Sequence, residues 1–151
     1  MRRLVLLTAL SLPAQAPAQE LPFDRARIES CLAASATQDE KLGCIGLGSE
    51  SCRAGSAGGT TIGIVECTAL ERDFWDARLN ATYRALRSHE RAQDAEVAGL
   101  PYAQSQVDAL QEMQRAWIGF RDTTCRYESA QYAGTLSRPV HIHCLMRLTA
   151  E

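Results

Sequence analysis

Phe74-Trp75-Asp76-Ala77-Arg78-Leu79-Asn80-Ala81-Thr82-Tyr83 and Gln114-Arg115-Ala116-Trp117-Ile118-Gly119-Phe120-Arg121-Asp122-Thr123-Thr124-Cys125 decide the fold. In each stretch the distinctive side chains recur at intervals of three and four, the spacing that puts residues on one face of an α-helix. Trp75, Leu79 and Tyr83 make an apolar seam, and Asp76, Asn80 and Arg84 make a polar seam one step round the same cylinder. In the second stretch Trp117, Arg121 and Cys125 share a line, with Gln114 a turn earlier.

Working outward, Thr60 or Thr61 caps a long helix whose apolar positions Ile62, Val65, Leu70, Phe74, Leu79, Tyr83 and Leu86 follow a 3.6-residue period and fade near Ser88. Ala92 to Ala98 adds a helical turn before Gly99-Leu100-Pro101 breaks the chain. Val107, Leu110, Met113, Trp117, Phe120 and Tyr127 mark a second long helix that ends at Gly134, and Trp117 and Phe120 are read with Trp75, Leu79 and Tyr83 as core. Ser137 and Pro139 restart the chain as a final helix through Leu148, in preference to a strand at Val140 to Ile142. Upstream, Pro22 and Asp24 open a short helix to about Ala36, and the capping box Thr37-x-x-Glu40 opens another from Gln38 to Ile45. Gly48 to Gly59 reads as a loop with at most one turn around Cys52. These pieces predict an all-α fold: a small disulfide-stapled helical bundle with two long antiparallel helices and shorter flanking helices.

Cys31, Cys44, Cys52, Cys67, Cys125 and Cys144 are an even set of cysteines. Cys31 and Cys44 flank the break at Thr37, and Cys125 and Cys144 flank the break at Gly134 to Pro139, so each pair meets across a helical hairpin. Cys52 is left for Cys67 across the glycine-rich stretch Gly55 to Gly63. A metal site is disfavoured because the cysteines are scattered and no Cys-x-x-Cys is present. No metal or cofactor is expected.

The first residues explain why cystines are chemically sensible. Met1-Arg2-Arg3, the apolar run Leu4 to Leu12 and the small-x-small site Ala16-Pro17-Ala18 read as a signal peptide over residues 1–18, predicting a periplasmic or secreted protein without a membrane anchor after cleavage. The remaining 133 residues are one domain's length. Loss of Arg2 and Arg3 leaves fourteen basic against eighteen acidic residues, a net charge of −4. Nucleic acid and anionic membrane surfaces reward the opposite balance, so a basic protein partner fits better.

The order Cys67, Trp75-Asp76-x-x-Leu79-Asn80-x-x-Tyr83, Gln114-Arg115-x-Trp117-x-x-x-Arg121-Asp122-x-x-Cys125, a glycine at 134 and then Cys144 resembles the LprI-like lysozyme inhibitor domain over roughly residues 50 to 149. The resemblance implies an exported helical domain of bacterial envelopes whose named member inhibits lysozyme. It divides the chain into the signal peptide, an N-terminal helical hairpin extension over 19–48, and an LprI-like helical domain over 49–151.

Trp75, Asp76, Leu79, Asn80, Tyr83, Gln114, Arg115, Trp117, Arg121 and Asp122 are the family-motif residues, and they are read as structural. If the long helices are antiparallel, Asp76, Asn80, Gln114 and Arg121 meet in a hydrogen-bonded network with Arg121 forked onto Asp76. A catalytic reading finds little support. Asp76 and Asp122 invite a two-carboxylate hydrolase, but nothing sets their separation or raises one pKa. His89 lies in a polar break, and His141-x-His143 points to different sides of a helix. The expected function is a non-enzymatic binding domain that occludes the substrate cleft of a cationic lysozyme through a loop within Glu50 to Gly63 or His89 to Tyr102. A structural or assembly module of the cell envelope, and behind it a cell-wall hydrolase, are the alternatives.

Overall fold

The computed structural model describes residues 21–55 and 58–151. The signal segment read at residues 1–18 lies outside the described residues. In chain order the helices are α1 (Arg25–Ala34), α2 (Gln38–Leu42), α3 (Leu47–Arg53), α4 (Thr61–Val97), α5 (Gln106–Ala130) and α6 (Ser137–Ala150), with a 3-10 turn at Gly134–Leu136 before α6. No strand occurs among the described residues.

Local chemistry sets most of these boundaries. Asp24 accepts from the backbone N–H groups of Ala26 and Arg27 at the start of α1. Thr37 and Glu40 form the reciprocal capping box of α2. Thr60 caps α4 through Gly63 N–H, and Ser105 caps α5 through Asp108 N–H. Each cap satisfies a donor that a helix end would otherwise leave open.

Two expectations need correcting. Gly48 to Gly59 is not all loop, since Leu47–Arg53 is helical. Its start has no side-chain cap of its own, and a distant residue, described below, supplies one. α4 also does not fade near Ser88 but runs unbroken for 37 residues to Val97. His89 to Val97 contains neither glycine nor proline, and Glu90, Asp94 and Val97 are half-buried, continuing the stripe of Tyr83 and Arg87.

The core sits at one end of the molecule. Ile28 of α1, Phe74 and Trp75 of α4 and Met146 of α6 form the buried cluster, with Phe23, Leu32, Ile45, Leu47 and Ala150 packed round it. Phe74 and Trp75 meet edge to face at 5.1 Å. The short α6, rather than α5, is the main neighbour of α4, and it also packs on α5. Disulfides join Cys31 to Cys44, Cys52 to Cys67 and Cys125 to Cys144, tying α1 to the chain after α2, α3 to α4, and α5 to α6. Past this base the distal half of α4 and the proximal half of α5 continue as a two-helix arm. No residue of α4 beyond Trp75 is fully buried, and Cys125 is the buried residue of α5.

Candidate functional site

The motif residues divide between the base and the arm. Trp75 is in the core, and its indole N–H donates to Glu71 Oε1 at 3.0 Å. Leu79 and Tyr83 are half-buried on α4, as are Gln114, Trp117 and Arg121 on α5, while Asn80 and Arg115 face solvent. The proposed fork of Arg121 onto Asp76 does not form. Asp76 accepts from Asn80 Nδ2 on its own helix at 2.8 Å. Arg121 pairs with neighbouring Asp122 at 2.8 Å, lies over the Trp117 ring at 5.1 Å and reaches Thr149 Oγ1 of α6 at 3.4 Å. Each group is satisfied locally, and α6 takes the place beside Arg121 that Asp76 was expected to fill. Phe120 is also corrected, being 61% exposed rather than core.

One buried polar residue escaped the sequence reading. Glu71 is 0% exposed and accepts three hydrogen bonds, from Gly46 N–H at 2.6 Å, Ser49 N–H at 2.7 Å and Trp75 Nε1 at 3.0 Å. Two of those donors are the open N–H groups at the start of α3, whose leading residue Gly46 has a φ of 101°. The carboxylate therefore caps a helix from across the core. The available signal was its position, four residues after Cys67 and four before Trp75 on the buried stripe, where an acid must find donors.

The histidines do not assemble a reaction centre. His141 Nδ1 lies 3.2 Å from the Cys125 carbonyl and 3.5 Å from Ser129 Oγ, whereas His89 and His143 are exposed. Among the described residues no group of three or more His, Cys, Asp or Glu is placed to hold a metal ion.

Besides a cleft of about 540 Å³ beside Trp75, Leu79 and Thr149, two surfaces among the described residues bear on function. A cleft of about 430 Å³ lies between α3, α4, the end of α5 and α6, lined by Met146 and Thr68 together with the polar side chains of Glu50, Arg53, Glu128 and His143. The second is the tip of the arm, where α4 turns into α5. The carboxylate of Asp94 accepts from Ser105 Oγ at 2.9 Å, Gln106 N–H at 2.7 Å and Val107 N–H at 3.1 Å, locking the turn to both helices. The backbone donors of Gln106 and then Val107 hold its pKa below the ordinary value of 3.8. Within the turn Gly99 has a φ of 91° and Tyr102 a φ of 65°, a left-handed conformation that side chains other than glycine rarely adopt. Tyr102 is fully exposed and Leu100 is 60% exposed. Residues 90–112 around this turn carry five acidic residues and one basic one, so the surplus acid of the chain is concentrated at this end.

Comparison with known proteins places this architecture. A protein described as an uncharacterized 17.7 kDa protein in the puhA 5' region of Rhodobacter capsulatus is 30% identical over 156 residues, covering 98% of this chain and 90% of its own length. An uncharacterized protein of Rhizobium meliloti is 37% identical over 78 residues, covering 50% of this chain and 56% of its own. No solved structure matches. The family model described as "Lysozyme inhibitor LprI" matches residues 52–151, from the Cys52–Cys67 staple through α6. The chain belongs to the LprI lysozyme inhibitor family.

Proposed function

We propose that this chain is an exported, non-enzymatic binding domain that inhibits a cationic, c-type lysozyme by lodging the tip of its α4–α5 arm in the substrate cleft. The observation that carries the reading is Tyr102, an aromatic side chain fully exposed in a left-handed turn at the acidic end of the molecule. Backbone strain of about 1–3 kcal/mol persists only where the surroundings impose it, and such sites cluster at ligand clamps. Here the clamp of Asp94 onto Ser105, Gln106 and Val107 imposes it. A turn already held in one shape loses little freedom on binding, and tyrosine is among the residues that most often anchor protein interfaces. Glu90, Glu96, Asp108 and Glu112 surround the tip with negative charge that would steer it to a basic cleft rim.

Export follows from the signal peptide read at residues 1–18, and three cystines suit the oxidising periplasm or exterior. The family description supplies lysozyme as the partner class.

The test is titration of the oxidised protein into lysozyme acting on cell walls, at several salt concentrations. Inhibition should appear at micromolar protein or below, weaken as salt rises, and fall at least about tenfold with Tyr102→Ala, a loss equal to about 1.4 kcal/mol. No inhibition of any of several lysozymes would sink the reading. Inhibition that ignores Tyr102→Ala would move the contact away from the tip. Binding to an envelope protein without inhibition would favour the assembly module.

A further inference from the structure

The apolar positions of α5 belong to two stripes, and one of them is uncovered. Val107, Leu110 and Trp117 are half-buried. Met113, Phe120 and Tyr127, spaced seven apart, are 57%, 61% and 73% exposed. Four residues before each of them stands a small residue, Ala109, Ala116 or Thr123, also exposed. Alternating large and small side chains at heptad spacing form the pattern with which one helix packs its knobs into the holes of another.

We propose that this outer face of α5 docks onto the same face of a second copy of the chain, antiparallel, with the two-fold axis beside Gly119. Three observations on α5 select that occupant and that orientation. Gly119 sits inside the helix, where glycine costs about 1 kcal/mol relative to alanine. A Cβ there would meet nothing within 4 Å, so no neighbour inside the chain requires it. A second helix backbone crossing at that point would.

Charge supplies the direction. Glu112 and Arg126 stand seven residues before and after Gly119, both are exposed, and neither takes part in an ion pair among the described residues. A two-fold axis at Gly119 sets Glu112 of each copy against Arg126 of the other, at both ends of the contact. A parallel pair would instead oppose like charges at both positions, which disfavours it.

Shape agrees with the same register. In the interlocked layers, which in an antiparallel coiled coil run two residues out of step with the flanking charge pair, Phe120 meets Ala116, Met113 meets Thr123 and Tyr127 meets Ala109 of the second copy, large onto small in every layer. The seam from Ala109 to Tyr127 is about 27 Å long at about 1.5 Å per residue, a single helix pair, so the dimer is a weak one governed by mass action. Antiparallel docking sends the two arms in opposite directions, and the seam from Ala109 to Tyr127 does not include Tyr102.

Sedimentation equilibrium of the oxidised chain, from low micromolar to near-millimolar concentration, tests the contact. The wild-type protein should move from monomer to dimer across that range, and Phe120→Glu should remain monomeric with an unchanged helical circular dichroism spectrum. Glu112→Arg should weaken association at least about tenfold, and adding Arg126→Glu in the same chain should restore it, because only the antiparallel register lets the exchanged charges meet again. A monomer at every concentration would overturn the proposal. So would a dimer indifferent to Phe120→Glu, or a double exchange that fails to recover what Glu112→Arg lost.

Discussion

Glu71 shows how much of the fold one side chain can hold. Its two oxygens accept from two backbone groups at the start of α3 and from the Trp75 indole, with no exposure to water. Glu71→Ala leaves all three donors buried and unpaired, and because a hydrogen bond to a charged group contributes about 1.5–3 kcal/mol, we expect a loss of at least about 3 kcal/mol. Urea unfolding of the oxidised protein measures it. Glu71→Gln should lose most of the same stability, since one end of the amide would turn N–H groups towards an N–H donor. A smaller effect belongs to Gly48, where an added Cβ would stand 2.6 Å from Phe23 and 2.8 Å from Ile28. Gly48→Ala should therefore cost about 1–3 kcal/mol by overpacking α3 against α1. Neither role was legible beforehand. In the sequence Glu71 is one more acid of a long amphipathic helix and Gly48 is loop composition, because Glu71 caps backbone groups 22 and 25 residues away and Gly48 packs on Phe23 and Ile28, 25 and 20 residues away.

Among the helices and turns, local signals in the sequence mark their structure and long-range ones do not. Thr37-x-x-Glu40, the cysteine spacings and the breaks at Gly99 and Gly134 act within a few turns of chain, and the corresponding hairpins and cystines are present. The tail of α4 is hidden in the sequence because its half-buried seam is polar: Arg87, Glu90 and Asp94 continue the stripe without the apolar signature that periodicity detects. In the same way the sequence does not separate Met113, Phe120 and Tyr127 from Val107, Leu110 and Trp117, since apolar character alone does not say which face another element covers. Asp94 gives the arm a pH dependence whose sign follows from its lowered pKa. A carboxylate with a depressed folded pKa contributes fully above its unfolded value and loses that contribution as pH falls through the folded one. The turn should thus stay locked at neutral pH and loosen only below 3.8. Backbone amide NMR signals of Gln106 and Val107 should titrate with a midpoint under that value, and Asp94→Ala should remove the transition and broaden the signal of Tyr102.

Across the whole molecule, stability is distributed along one axis. The three cystines, the Ile28, Phe74, Trp75 and Met146 cluster and the Glu71 cap all lie at the base, whereas the arm presents half-buried, mostly polar contacts between two helices. Regions with few buried apolar contacts open locally at free energies below that of global unfolding. Hydrogen exchange at low protein concentration should therefore grade from slow amides in residues 67–75 and 142–149 to faster ones in 84–97 and 106–117. The gradient also separates the two uses of α5. Raising the protein concentration should slow exchange in α5 through self-association while leaving the turn at Tyr102 unchanged, and adding a lysozyme that is inhibited should slow the turn first. Equal protection of arm and base at low concentration would contradict this distribution, because nothing buried in the arm accounts for it.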